Sequence, residues 1–263
     1  GNGTFVTVGG SGTLLTSPDG TTWTQRTSGT LEHLYEVTYG NGLFMTMGRY
    51  GTLLTSPDGT TWTQRTSGTS KPLKEVTYGN GTFVVVGSFG TLLTSSGGTT
   101  WTSRTSGTSN YLRGVTYGNG TFVAVGDSGT ILTSPDGTTW TSRSSGSSQS
   151  LFGVTYGNGT FVTVGWDGTL LTSSDGTTWT SRTSGTSEHL WKVTYGNGLF
   201  VTVGDSGTIL TSSDGTTWTS RTSGTSKHLW KVTYGNGLFV TVGRRGTILT
   251  SSDGTSWTSR TFG

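Results

Sequence analysis

A small set of aromatic, cationic and acidic side chains could bind a ligand, because these are the residues that vary in an otherwise repetitive sequence. Aromatic rings stack on sugars and on apolar or cationic side chains, while Arg, Lys and Asp add charged hydrogen bonds. These residue types in short loops indicate recognition of a ligand. The predicted ligand-binding residues are Arg49, Tyr50, Phe89, Trp166, Asp167, Trp191, Lys192, Trp230, Lys231, Arg244 and Arg245.

The same sequence is poorly suited to catalysis or to metal binding. It has no Cys, which excludes thiolate metal ligands and disulfides. The three His residues, His33, His189 and His228, occupy one position of the repeat and therefore belong to different repeats. No acidic partner for them can be read from the sequence. We predict no catalytic residue, no metal site and no cofactor.

The charges also limit the classes of partner. The 16 Lys and Arg against 13 Asp and Glu give a net charge of +3, and no one-signed basic stripe is present. A protein that binds nucleic acid is expected to have such a stripe, so a nucleic-acid partner is not predicted. No apolar run approaches the roughly 18 residues that a membrane-spanning helix needs, so we predict no membrane insertion.

A 39-residue repeat organises the whole chain. Gly-Asn-Gly recurs without a break in register. We predict a single β-propeller domain over 1–263, with repeats that start at 1, 40, 79, 118, 157, 196 and 235. The Asn residues of this motif are Asn2, Asn41, Asn80, Asn119, Asn158, Asn197 and Asn236.

Each repeat contains short runs rich in β-branched and aromatic residues, which is typical of strands. We label them A (Leu-x-x-Val-Thr-Tyr), B (Phe-Val-x-Val), C (Leu-Leu-Thr-Ser) and D (Trp-Thr-x-Arg, as in Thr22–Arg26). Asn-Gly between A and B and Asp-Gly between C and D favour two-residue hairpin turns, and Gly-x-x-Gly joins B to C. Four antiparallel strands in sequence order form one propeller blade. The fold class is therefore all-β, a seven-bladed β-propeller.

One blade is predicted to lack its innermost strand. Runs B, C and D occur seven times and run A only six times. We expect the missing strand to be supplied by an upstream segment or by another chain in an oligomer, or to be absent. An incompletely closed ring is favoured over an open solenoid, because a solenoid would expose strand edges and bare blade faces.

The variable residues fall in two windows that should share one face of the propeller. One window is the residue pair inside Gly-x-x-Gly between B and C, and the other flanks the Leu that opens run A. In a meander, the B–C and D–A connections emerge on the same side. The Arg of run D is invariant and is expected to form salt bridges or stacking contacts within or between blades. These residues are Arg26, Arg65, Arg104, Arg143, Arg182, Arg221 and Arg260.

The C–D connection carries a recurring motif, Ser-x-Asp-Gly-Thr-Thr-Trp, first seen at 17–23. It resembles the Asp-box of BNR-repeat propellers, which include bacterial sialidases and propellers similar to photosystem II assembly factors. The resemblance implies that the Asp accepts hydrogen bonds from turn amides and that the Trp fills a pocket beneath it. The structural Asp-box residues are then Asp19, Asp58, Asp136, Asp175, Asp214 and Asp253.

Two departures bear on what the resemblance implies. The motif is one residue shorter than the usual sialidase spacing, and Gly97 replaces the Asp in the third repeat, where we expect a looser turn. Sialidases of this architecture use three Arg residues, a Tyr–Glu pair and an Asp acid. Here Arg residues are either repeated seven times or scattered singly. Each motif also offers a single carboxylate, which is too few ligands for calcium. We therefore predict that the chain is not an enzyme.

The function predicted from the sequence is non-enzymatic recognition. The variable loops would present aromatic and charged residues to a glycan, in a lectin-like manner, or to a protein. Trp166 is a favoured anchor, because its Gly-x-x-Gly loop offers little for it to pack on. The alternative is a structural scaffold or an assembly-factor-like propeller. We expect an extracellular or cell-surface location.

Overall fold

The computed structural model describes residues 1–20 and 22–260. Their strands form seven antiparallel sheets, six with four strands and one with three, and each sheet follows sequence order. The prediction of an all-β propeller with seven blades is confirmed, and so is the sheet that lacks strand A. Within the described residues, no helix is long and apolar enough to cross a membrane.

The A strands have seven residues each. They are β4 Leu34–Gly40, β8 Leu73–Gly79, β12 Leu112–Gly118, β16 Leu151–Gly157, β20 Leu190–Gly196 and β24 Leu229–Gly235. The B strands begin immediately after the Asn-Gly turns, except β1, which begins one residue later. They are β1 Phe5–Val8, β5 Leu43–Gly48, β9 Thr82–Gly87, β13 Thr121–Gly126, β17 Thr160–Gly165, β21 Leu199–Gly204 and β25 Leu238–Gly243.

The C strands have four residues each. They are β2 Leu14–Ser17, β6 Leu53–Ser56, β10 Leu92–Ser95, β14 Ile131–Ser134, β18 Leu170–Ser173, β22 Ile209–Ser212 and β26 Ile248–Ser251. The D strands have two or three residues. They are β3 Thr24–Gln25, β7 Thr63–Gln64, β11 Thr102–Ser103, β15 Thr141–Arg143, β19 Thr180–Ser181, β23 Thr219–Arg221 and β27 Thr258–Arg260. Sheet 1 is β1–β3, and sheets 2 to 7 take the following strands in groups of four.

The residues group into two compact units. The first contains Gly1–Phe122 and Ser134–Thr141, and the second contains Val123–Thr133 and the described residues from Ser142 onward. The boundary falls within the strands of sheet 4, so each unit contains three whole sheets and part of a fourth.

The hairpin turns agree with the sequence at one end of the sheets and differ at the other. Asn41 and Gly42 both have positive φ, 49° and 76°, as a two-residue turn of this kind requires. The Asp-Gly connection is not a two-residue turn. Strand C ends at Ser56 and strand D begins at Thr63, so the Asp-Gly dipeptide lies inside a longer loop and strand D is shorter than predicted.

The core of the propeller lies between consecutive sheets. In the second unit, Val201 and Val203 of β21 pack with Leu229 and Val232 of β24 and with Phe239 of β25. Strand B of sheets 2 to 6 is therefore buried on both faces, as its unbroken apolar run predicts. The Tyr of strand A lies on the Phe of strand B, with ring centroids about 4.6 Å apart for Tyr234 and Phe239.

The Phe of strand B provides a test of this core within one protein. Phe200 is fully buried, whereas Phe5 in sheet 1 is only half-buried. Phe200→Ala should lower the free energy of unfolding by about 3–5 kcal/mol, and Phe5→Ala by less than about half of that, because less apolar surface is lost. Chemical denaturation followed by Trp fluorescence measures both. Equal losses would show that burial between sheets does not determine stability.

Candidate binding site

The Gly-x-x-Gly connections are three-residue 3₁₀ turns with an unusual backbone. They are Gly10–Gly12, Arg49–Gly51, Ser88–Gly90, Asp127–Gly129, Trp166–Gly168, Asp205–Gly207 and Arg244–Gly246. The middle residue of each has positive φ, for example 51° at Tyr50, 56° at Phe89 and 58° at Arg245. For bulky side chains this conformation costs on the order of 1 kcal/mol or more.

The strained middle position displays its side chain to solvent. Tyr50 is 62% exposed and Phe89 is 53% exposed, although both are large and apolar. Residues with a strained backbone conformation, such as positive φ at an exposed aromatic residue, are concentrated at functional sites. The sequence predicted that these residues belong to a binding surface, but it gave no sign of this backbone conformation.

The second residue of strand A, which follows its first Leu, lies in a β-bulge. The register of A against B shifts between Leu151 and Gly153, and again between Leu190 and Lys192. The bulged residues are thus Phe152 and Trp191, and Trp230 has the same position in β24. A bulge re-aims a side chain that would otherwise alternate between the sheet faces.

The two variable windows meet, as predicted. The backbone N–H of Trp166 donates to the carbonyl oxygen of Ser150 at 2.9 Å, and that of Asp205 donates to His189 at 2.9 Å. The last Gly of each of the first six turns packs directly on the next D–A connection. A Cβ at Gly168 would lie 2.0 Å from the carbonyl oxygen of Thr186, so only Gly fits there.

An aromatic cluster forms where these windows meet in the second unit. Phe152 and Trp191 stack with ring centroids 4.5 Å apart and an interplanar angle of 13°. Trp166 lies 6.4 Å from Phe152 and 5.3 Å from His189, and its Nε1 contacts Nε2 of His189. We call these four residues the Trp166 cluster. The expectation that Trp166 has little to pack on was wrong, because Phe152 of its own sheet and His189 of the next sheet contact it, yet Trp166 remains 45% exposed.

Acidic side chains surround the Trp166 cluster. Asp205 Oδ1 accepts a hydrogen bond from Trp191 Nε1 at 2.6 Å and lies 2.6 Å from Nδ1 of His228. Asp167, whose side chain is 58% exposed, lies 3.5 Å from Nδ1 of His189. No acidic partner for these His residues could be read from the sequence, and the structure supplies one for His189 and one for His228. The partners come from the B–C turn of the preceding sheet, which is distant in sequence.

The first unit combines aromatic rings with cations. Phe89 packs edge-on against Tyr111 with centroids 4.8 Å apart, and the Lys71 ammonium lies 5.8 Å from the Phe89 ring. The Arg49 guanidinium lies 5.6 Å from the ring of its neighbour Tyr50. Cations therefore lie beside aromatic rings in the first unit, whereas carboxylates lie beside the Trp166 cluster.

The other predicted binding residues are exposed or half-buried. Trp230 is 48% exposed on β24, and Arg244 and Arg245 are exposed in the last B–C turn. Lys192 and Lys231 follow the bulged residues of their strands and are half-buried. The site list from the sequence left out three residues that the structure brings to Trp166 and Trp191, namely Phe152, His189 and Asp205. The sequence did contain a sign of these contacts, because the two variable windows are separated by the same number of residues in every repeat.

An open groove with a volume of about 450 Å³ adjoins the Trp166 turn. Its lining includes Asp167, Gly168, Arg182 and Thr186. The groove therefore combines a carboxylate and a guanidinium with backbone polar groups. Among the residues that the structure describes, no group of three or more His, Cys, Asp or Glu side chains could hold a metal ion.

The Asp-box residues and the strand-D Arg residues stabilise the sheets. Asp58 Oδ1 accepts hydrogen bonds from the backbone N–H groups of Thr60 and Thr61, and Trp62 Nε1 donates to the carbonyl oxygen of Gly59 at 2.8 Å. The Asp of this motif therefore accepts hydrogen bonds from turn amides, and the Trp indole is bonded to the same turn. Each strand-D Arg donates through Nε to the Thr of strand C, as Arg65 does to Thr55 at 2.8 Å. We had expected salt bridges or stacking for these Arg residues; the contact that the structure shows is a hydrogen bond within the sheet.

The third repeat shows which part of the motif builds the turn. Gly98 N–H still donates to Ser95 Oγ at 2.8 Å, and Trp101 Nε1 still donates to the carbonyl oxygen of Gly98, although Gly97 replaces the Asp. The turn therefore keeps these two hydrogen bonds without the carboxylate. It lacks only the carboxylate's bonds to the following amides.

Of the comparisons with known proteins, the one with solved structures supports the fold. No family model matches the chain, and no curated protein matches it. Among solved structures, the chain is similar to "YCF48 bound to D1 peptide", with a TM-score of 0.73 and 19% identity over 93% of this chain and 86% of that one.

Two further structures are similar. YCF48 from Cyanidioschyzon merolae has a TM-score of 0.74 and 18% identity, covering 94% of this chain and 91% of that one. The computationally designed Ika8 protein has a TM-score of 0.76 and 13% identity, covering 99% and 84%. At these identities the likeness shows the fold, so the chain is a seven-bladed β-propeller with YCF48 among its structural neighbours.

Restoring the missing Asp should stabilise the chain. The Cβ of a residue at Gly97 would meet only Thr99 Oγ1 at 4.0 Å, so an Asp fits there. Gly97→Asp should raise the melting temperature by about 1–3 °C, because its carboxylate would cap the free turn amides. Gly97→Asn, which offers a weaker acceptor, is the matched control. A lower melting temperature for Gly97→Asp would contradict the capping role.

The Asp carboxylates of the C–D connections also predict how the free energy of unfolding depends on pH. Hydrogen bonds from the backbone N–H of Thr61 and from the Thr60 and Ser56 groups hold the pKa of Asp58 well below its usual range. Four further box residues share this lowered pKa: Asp136, Asp175, Asp214 and Asp253. A lowered folded-state pKa stabilises the fold above the ordinary Asp value of about 4, and this stabilisation is lost as the pH falls through the lowered value.

We therefore expect a flat unfolding midpoint near neutral pH and a progressive fall below about pH 4. Denaturant titrations at several pH values measure this dependence. Replacing Asp58 and Asp175 with Asn should flatten the acid limb of the curve. An unchanged limb would show that other carboxylates cause it.

Proposed function

We propose that the chain is a non-enzymatic binding module whose loop surface binds a peptide segment of a protein partner. The observation that carries this proposal is the Trp166 cluster. A half-exposed Trp lies there against the Phe152 ring and the His189 imidazole, which is the arrangement of an interface hot spot.

The charges around the Trp166 cluster favour a cationic side chain in the ligand. Asp167 is exposed beside Trp166, and Glu188 accepts a hydrogen bond from Ser206 Oγ at 3.2 Å in the adjoining turn. A Lys or Arg of the partner could lie over the Trp166 ring and pair with Asp167, which combines a cation–π contact with an ion pair. The groove next to this turn offers space for the neighbouring peptide residues.

The structural neighbours support a protein ligand more than a glycan. One YCF48 structure contains a D1 peptide, so a propeller of this fold binds a polypeptide segment in that case. This likeness also favours the second candidate function, an assembly-factor-like role in which the propeller holds a segment of a larger complex. The absence of a catalytic role and a location outside the cell stay predictions.

The proposal is tested with an array of peptides that vary in basic and aromatic content, run in parallel with a glycan array. Trp166→Ala and Asp167→Asn should each weaken peptide binding at least about tenfold, as expected for anchor residues. Ser128→Ala is the matched control, because Ser128 is exposed in the equivalent turn of sheet 4 and carries no aromatic cluster. Its binding should equal that of the unmodified chain.

Two outcomes would overturn the proposal. Saturable binding on the glycan array that is lost in Trp166→Ala would assign the surface to sugars. Peptide binding that is unchanged in both Trp166→Ala and Asp167→Asn would place the peptide site elsewhere on the molecule.

A further inference from the structure

The edge of sheet 1 differs from the same position in every other sheet. Strand β1 (Phe5–Val8) pairs with β2 on one side, and within the described residues its other edge has no partner strand. In sheets 2 to 7 the corresponding edge of strand B pairs with a seven-residue strand A. The six other sheets therefore show which sequence fits this edge.

The backbone of β1 presents two residues at the open edge. Thr4 N–H donates to the carbonyl oxygen of Gly1 on the open side, and Gly9 N–H donates to Thr13 on the β2 side. Because the N–H and C=O groups of an antiparallel strand alternate in direction, Val6 and Val8 point their backbone groups outward. Phe5 and Thr7 point theirs toward β2.

The side chains of β1 have the same residue types as those that strand A covers in the other sheets, but here they are exposed or half-buried. In sheets 5 to 7 the equivalent of Thr7 is fully buried and donates its hydroxyl to a carbonyl oxygen of strand A, as Thr202 does to Lys192 at 2.9 Å. Thr7 has the same residue type but is exposed. Phe5 and Leu15 are half-buried, whereas their equivalents Phe239 and Leu249 are covered by the Leu and Val of strand A.

We propose that the open edge of β1 binds a separate extended peptide with the pattern Leu-x-x-Val-Thr-Tyr. The peptide adds a fourth, antiparallel strand to sheet 1. Its Leu and Val cover Phe5 and Leu15, its Tyr packs on the Phe5 ring, and the Thr7 hydroxyl donates to its backbone. Main-chain pairing supplies affinity, and the alternate side chains supply specificity. This site is independent of the loop surface.

The register of the added strand follows from the repeats. In sheet 7, Thr233 pairs with Val240 and Val232 pairs with Thr241. Val240 corresponds to Val6 and Thr241 to Thr7. The backbone N–H at the position of Thr233 therefore points to β1, whereas that at the position of Val232 points away from it. These two adjacent positions give a matched pair of probes.

The experiment uses a free peptide with the sequence of residues 226–234 and the chain of 263 residues. We expect saturable binding, measured by fluorescence anisotropy of the labelled peptide. A peptide N-methylated at the position of Thr233 should bind at least about tenfold more weakly, because a ladder hydrogen bond and its geometry are lost. A peptide N-methylated at the position of Val232 should bind like the unmodified one.

Residue-resolved amide hydrogen exchange locates the site. Bound peptide should slow exchange at Val6 and Val8 at least about tenfold and leave Phe5 and Thr7 nearly unchanged, because those amides already pair with β2. Trp166→Ala should bind this peptide normally, so a failure of the loop-surface proposal would not affect the result.

Three results would overturn the proposal. One is the absence of saturable binding at millimolar peptide. Another is an equal loss for the two N-methylated peptides, which would exclude strand pairing in this register. The third is a dimer in sedimentation analysis whose Val6 and Val8 amides are protected without peptide, because a second copy would then occupy the edge.

Discussion

The packing of strand A between its own sheet and the preceding sheet is the interaction on which the rest of the structure depends. Leu229 and Val232 contact Phe239 of their own sheet and Val201 and Val203 of the sheet before. This double contact buries strand B on both faces and fixes the position of each D–A connection against the preceding B–C turn. Few positions in the repeat are then free to vary without loss of the core, and those positions are in the loops.

The same constraint explains the composition. A chain with 29% hydrophobic residues and 46 Gly is poor in core-forming side chains, yet the apolar residues of runs B, C and D are used in all seven sheets and those of run A in six. Gly is required where backbones approach one another. At Gly196 a Cβ would lie 2.2 Å from the Tyr234 ring of the next sheet, so a larger residue would push the sheets apart. A high Gly content here reflects tight packing between strands.

Local sequence could predict much of the fold and less of the site. The strands and the Asn-Gly turns depend on local propensity, and Asn41 and Gly42 have the predicted positive φ. The bulge at Trp191 and the positive φ at Asp167 could not be predicted, because contacts with a neighbouring connection stabilise them. The pairing of His228 with Asp205 was missed for the same reason, since it joins the B–C turn of one sheet to the D–A connection of the next.

Very few side chains distinguish one loop surface of this propeller from another, because the blades are almost identical elsewhere. The turn that holds Trp166 and Asp167 has the same backbone as the turn that holds Arg49 and Tyr50, with φ of 50° and 51° at the second residue. The backbone therefore contributes little to the difference between the two surfaces. Two residues per turn and the bulged residue opposite decide which aromatic rings and which charged side chains lie together on a surface. A repeat scaffold of this kind can change its ligand by substitution at these positions without loss of the packing between sheets, since none of these side chains belongs to the core.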